Sequence, residues 1–179
     1  INNNFLLDLD KNYKDLSLKF KNNTKRNLKK SQQFQLKFIN NLEIDFFMKL
    51  FRTNSSIKRS IKKFFFFNSN YLIVEKLIKI SIEKERGNLV GVFDFENNLV
   101  SAAFFLNCRN RYTMLFNVTR PKYRHFHSMT FLINYFIKSN CMQKKILDFE
   151  GSNIPGVKKF YAGFGSCNYQ YYKIQNNFI

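Results

Sequence analysis

The sequence predicts an α/β (α+β) fold: a mixed, mostly antiparallel sheet flanked by helices, with an N-terminal helical segment. Three observations carry this. Apolar residues recur at helical spacing up to about residue 85. After Gly87, three apolar-rich runs separated by turn residues read as a β-meander. From Arg120 onward, helix and strand patterns take turns. At 179 residues the chain can build one domain with a substantial core.

Asp10–Gln33 reads as a first helix, with Asp10 as N-cap and Tyr13, Leu16, Phe20 and Leu28 on one stripe. Phe34–Ile39 alternates like a short strand. Leu42–Phe51 places Phe46, Phe47, Leu50 and Phe51 on one side of a second helix. Thr53–Ser56 reads as a loop, and Ile57–Glu85 as helix interrupted near Asn68–Asn70. Asn88–Phe95, Leu99–Leu106 and Arg111–Thr119 are the meander strands. Met129, Leu132, Ile133, Phe136 and Ile137 follow the i, i+3, i+4, i+7, i+8 rule of an amphipathic helix that Asn140 can end. Lys144–Phe149 is a short buried strand, which its helical crossover allows to lie parallel to the third. A brief helix follows, with Ser152 or Asn153 as cap, Pro155 in its first turn, and Ile154, Val157, Tyr161 and Phe164 inward. Gly163 or Gly165 can stop it, and Asn168–Ile174 closes the sheet. From Asn88 the order is β-β-β-α-β-α-β.

The net charge is +18, which suits nucleic acid or another polyanion. Asn, Lys, Ile and Phe are all abundant and all have A/T-rich codons, so a biased genome accounts for the charge equally well. Cys108, Cys141 and Cys167 are far apart with no CxxC pair, and nothing reads as a signal peptide; reduced thiols and a cytoplasmic location are expected. His125 and His127 form an HxH pair without companions, so no metal site is expected. The longest apolar runs, Phe64–Phe67 and Ala102–Leu106, fall far short of the ~20 residues a membrane helix needs.

The order of elements resembles the GNAT (N-acetyltransferase) fold. "NNTKRNLKKSQQFQLKF" (Asn22–Phe38) resembles the basic linker of FemAB-type aminoacyl transferases. "LVSAAFFL" followed by "ILDFEGSNIPGVKKFYAGFG" resembles the second GNAT-like domain of that superfamily. The resemblance implies a basic linker helix and strand over residues 1–40. It implies a GNAT-like acyltransferase domain over 41–179, with helices in 41–86 and sheet and helices in 87–179. The chain starts at Ile1 rather than Met, so a fragment is expected, and the resemblance implies two GNAT-like domains, of which the first is expected outside this chain. The implied activity is transfer of an acyl or aminoacyl group onto an amine acceptor, without a tightly bound cofactor. CoA-dependent members carry a Gly-rich turn before the central helix; the matching segment here, Arg120–Met129, has no glycine. The donor is therefore open between acyl-CoA and aminoacyl-tRNA, and tRNA is a candidate partner.

Acyl transfer to an amine needs a proton acceptor, and a carboxylate can serve if its surroundings raise its pKa. Asp148 and Glu150, at i and i+2 of a strand end, are the candidates; in a regular strand both would share one face. The comparable strand of the related leucyl/phenylalanyl-tRNA transferases carries Asp-x-Gln. The same two residues could instead favour the positive end of the next helix. Arg120, Lys122 and Arg124, before the central helix, are candidates for donor phosphates. Lys25, Arg26, Lys29 and Lys30 could meet RNA, and Tyr161, Phe164, Tyr169 and Tyr171 could line an acceptor groove. For each group, a solvated basic surface or an aromatic core is the structural alternative. A non-catalytic, polyanion-binding domain of the same fold is the alternative for the whole chain.

Overall fold

The computed structural model describes residues 2–53, 69–151 and 153–172. The expected features on Phe64–Phe67, on the first part of Ile57–Glu85 and on Ser152 lie outside them. The described residues form seven strands: β1 (Asn2–Asp8), β2 (Lys37–Ile39), β3 (Gly87–Phe93), β4 (Leu99–Cys108), β5 (Arg111–Thr119), β6 (Ile146–Gly151) and β7 (Cys167–Tyr171). The α-helices are α1 (Tyr13–Leu18), α2 (Asn22–Ser31), α3 (Ile44–Thr53), α4 (Ser69–Glu83), α5 (Ser128–Asn140) and α6 (Pro155–Ala162). One sheet runs β2-β3-β4-β5-β6-β1-β7. All neighbours are antiparallel except β5 and β6. The expected mixed, mostly antiparallel sheet flanked by helices is thus the fold observed.

Alternation along the meander builds two cores. Val90, Ala103, Phe105 and Met114 face one cluster with α1, α5 and α6; Leu89, Ala102, Phe104 and Val118 face the other with α3 and α4. The ring of Phe136 on α5 stacks on Phe105 with centroids 3.7 Å apart.

Residues 2–9 add a strand that the sequence reading did not anticipate. Asn is a poor strand former, but here tertiary contacts decide. Phe5, Leu7 and Leu9 are buried in the first core. Several Asn side chains pair: Asn3 donates to Asn153, Asn153 to Asn2, and Asn168 to Asn3, while the buried Asn4 Oδ1 finds no partner among the described residues. Residues 2–39 thereby share sheet and core with residues 87–171.

The single helix expected over Asp10–Gln33 is two. Its cap is Asn12, not Asp10, and accepts the Asp15 amide. The break follows Phe20, where the Lys21 amide is taken by the Gly163 carbonyl at 2.9 Å. Phe20 itself packs edge-on against Phe164. Two inward assignments and one cap are corrected. Phe46 lies off the buried stripe of α3 and Ile154 is exposed. Asn153 does not cap α6, whose N-cap is Ile154 with no side-chain hydrogen bond.

Candidate active site

β5 and β6 pair only at Arg111–Ile146, Tyr112–Leu147 and Thr113–Asp148. Beyond that point each strand carries a bulge. On β5 the extra residue is Leu115, because Phe104 faces Phe116 and Phe105 faces Met114. On β6, Leu6 faces Asp148 and Asn4 faces Gly151, so two steps of β1 match three of β6. Bulges bend strands and re-aim side chains. The two strands therefore part, β5 staying with β4 and β6 with β1.

Glu150 sits in the β6 bulge with φ 62°, a left-handed conformation that non-glycine residues rarely adopt. The expectation that it shares a regular strand face with Asp148 is corrected on this ground. Asp148 is buried, with one carboxylate oxygen accepting from Arg111 Nη1 and the other from the Glu150 amide, each at 2.8 Å. Glu150 is solvent-accessible at its surface. Its carboxyl is nevertheless pushed above the usual carboxylate range, first by partial desolvation and then by Asp148, with Arg111 opposing. Of the two carboxylates, Glu150 is the exposed one, and Asp148 has both oxygens engaged.

Tyr161 reaches the parting from α6. Its ring stacks on Phe149 with centroids 5.0 Å apart, and its hydroxyl receives the Asn117 amide group from β5 at 3.5 Å. Burial above all, and then the Glu150 charge, push its phenol up, while Asn117 opposes. Tyr161 therefore stays protonated at neutral pH. The other aromatic candidates separate. Phe164 is wholly buried against Phe20, Phe149 and Phe160 and lines no groove. Tyr169 and Tyr171 are exposed on β7, on the strand face shared with Asn4 and Asn2.

A cleft of about 560 Å³ opens where β5 ends and α5 and α6 begin, with Thr119, Arg124, His127, Ser128 and Phe160 among its walls. His127 is the left-handed residue before α5. Its pKa is lowered, by burial first and then by Lys30, Arg26 and His125. The cations thus regroup relative to the sequence reading. Arg26 and Lys30 of α2 join Arg124 and His127. Lys25 and Lys29 instead line a separate groove beside Tyr135. Lys122 lies over the Tyr123 ring, and Arg120 starts the 3-10 turn Pro121–Phe126. His125 and His127 lie on this turn and its end, not on a strand. Among the described residues no cluster of His, Cys, Asp and Glu could hold a metal ion.

Arg111, Asn117 and His127 were not singled out as active-site residues from sequence. Arg111 and Asn117 read as ordinary strand residues, since only the pairing of β5 shows what they face. For His127, proximity to the start of the central helix was the available signal.

A mixed sheet with two central parallel strands that part in front of a helix N-terminus defines a GNAT-like fold. No family model and no curated protein matches the sequence, but solved structures share the fold. FemX matches with a TM-score of 0.70 at 11% identity, over 93% of this chain and 59% of that one. The C-terminal domain of a putative lysylphosphatidylglycerol synthetase from Agrobacterium fabrum matches at 0.58 and 12%, over 93% and 57%. L-PGS from Bacillus licheniformis matches at 0.57 and 10%, over 94% and 58%. The chain spans less than two thirds of each of these. The GNAT-like fold is therefore established, and the FemAB-like resemblance fits it.

Proposed function

We propose that the chain is an acyltransferase that moves an acyl or aminoacyl group onto an amine by direct attack. The observation that supports it best is the convergence of Glu150, Tyr161 and Asn117 where β5 and β6 part. Glu150 takes a proton from the attacking amine as its nitrogen bonds to the acyl carbonyl carbon. The tetrahedral centre then expels the donor's thiolate or ribose oxygen, which takes the Tyr161 proton. The exchange requires a carboxylate with raised proton affinity to take one proton and a protonated phenol to supply the other. The cleft at α5 receives the donor's phosphates, with Arg26, Lys30, Arg124 and the helix N-terminus as its positive groups. Both acyl-CoA and aminoacyl-tRNA meet this description.

The test is transfer from labelled acetyl-CoA and from labelled aminoacyl-tRNA to a panel of primary amines. One donor is expected to label an amine, and Glu150→Gln to lower the rate by roughly 10²–10⁴-fold. Undiminished transfer by Glu150→Gln would overturn the assignment of the base.

The cations around His127 also favour a second reading, a non-catalytic module for RNA or another polyanion. It expects binding that weakens steeply with salt and no transfer from either donor.

A further inference from the structure

We infer that Arg111 and Asp148 are positioning residues for Glu150: the Arg111–Asp148 pair holds the Glu150 backbone in its left-handed bulge and so sets where its carboxylate stands. The inference deepens the proposed role of Glu150 and rests on it for function, but its geometry is independent of any substrate.

Asp148 belongs to the last pair that β5 and β6 share, opposite Thr113. Its side chain is 5% exposed. Both its oxygens are engaged, one by Arg111 on β5 and the other by the amide two residues ahead. A short acidic side chain that accepts the i+2 amide stabilises a local turn that competes with the strand ladder. Here the other oxygen of the acceptor is held by a guanidinium at 2.8 Å, and a charge-assisted contact of this kind is a strong one. The pair thus ties the two strands at the point from which they diverge, and it favours the φ of 62° that Glu150 would otherwise resist. With both oxygens taken, Asp148 acts through Glu150 rather than as the base.

Among the described residues, the charged and titratable groups facing Glu150 are few. They are Asp148 on its own strand, Arg111 on β5 and the Tyr161 phenol on α6; β1 presents uncharged Asn4 opposite Gly151. Asp148 raises the proton affinity of Glu150 and Arg111 lowers it. Removing one or the other should shift Glu150 in opposite directions if both charges stand beside its carboxylate, and whether the pair also holds its backbone is read from the Glu150 amide whose hydrogen bond Asp148 accepts.

The experiment is an NMR titration of the Glu150 carboxyl carbon in the intact chain without substrate. Asp148→Asn keeps an oxygen for the Glu150 amide but removes a negative charge, so the midpoint moves to lower pH. Arg111→Gln moves it to higher pH, and Arg111→Lys, which keeps the charge, restores it toward the wild-type value. Asp148→Ala removes the acceptor and abolishes protection of the Glu150 amide from hydrogen exchange; Asp148→Asn retains it. Midpoints that move together or not at all overturn the inference, as does amide protection that survives in Asp148→Ala. Should Arg111→Gln fail to fold, Asp148→Asn and Asp148→Ala still decide. In a transfer assay the acid limb of kcat/KM follows the same order. If the titrations shift as stated but neither donor supports transfer, the positioning stands and the transfer reading fails.

Discussion

The two halves of the sheet solve different problems. From β2 to β5 the strands form a meander whose apolar side chains alternate into two cores. From β6 to β7 the same sheet carries the Arg111–Asp148 pair, a network of Asn side chains and a wholly exposed edge strand. The bulges of β5 and β6 lie at the seam, and so do Glu150, Tyr161 and Asn117. The contrast teaches that apolar alternation supplies stability on one side, even across the register shift at Val92–Phe93, while the parting of β5 and β6 brings together polar groups that a continuous ladder would have kept apart. Substitutions on the two sides should therefore differ in size and even in sign.

The largest effect is expected in the meander. Phe105 is fully buried and stacked on Phe136. Phe105→Ala should lower the unfolding free energy by about 3–5 kcal/mol, measured by urea denaturation. A loss below about 1 kcal/mol would mean the meander core collapses around the cavity, and the contrast between the halves would fail.

A smaller loss is expected where α6 meets α2. Gly163 has an ordinary helical φ of −63°, so its need is space rather than conformation. A Cβ there would meet the Thr24 hydroxyl and lie 2.9 Å from the Phe160 carbonyl. Gly163→Ala should cost about 1–3 kcal/mol, and adding Thr24→Ala should recover part of it. Strict additivity of the two changes would show that they do not touch.

Those contacts help explain why the segment Leu147–Gly165 was legible as a strand, a short helix and its stop while its chemistry was not. Two of its glycines meet close neighbours: Gly165 adopts φ 74° beside Lys19, and Gly163 abuts α2. Both are visible as residue types in the sequence. The meander and α5 were legible too, because their periodicities are set by burial on fixed faces. β1 was not, because three Asn residues hide a strand whose partners lie some 140–170 residues away. The break after Phe20 was equally hidden, since the carbonyl that takes the Lys21 amide belongs to Gly163. At the site, Asp148 and Glu150 were visible as a pair, but their division of labour depends on a bulge, and a bulge is a property of pairing rather than of one strand. Arg26 and Lys30 were visible as cations; their place beside His127 follows from how α2 packs across the start of α5.

The smallest expected effect has the most informative sign. A side chain in the left-handed region costs roughly 1–2 kcal/mol relative to glycine, whereas in a regular strand glycine is the weaker residue by about 0.5–1 kcal/mol. Comparing Glu150→Gly with Glu150→Ala therefore reads the local backbone directly. With φ at 62°, the glycine variant should be the more stable of the two by about 1 kcal/mol, and both should lose transfer. The wild type adds a pH dependence. A carboxyl whose folded pKa is raised favours folding while protonated, below the unfolded pKa, and loses that contribution as pH rises through the folded value. Both variants should thus gain stability relative to wild type between acidic and neutral pH, over the window that opens with the raised Glu150 pKa. An alanine variant more stable than the glycine one would place Glu150 in an ordinary strand, and the seam would then be no different from the meander beside it.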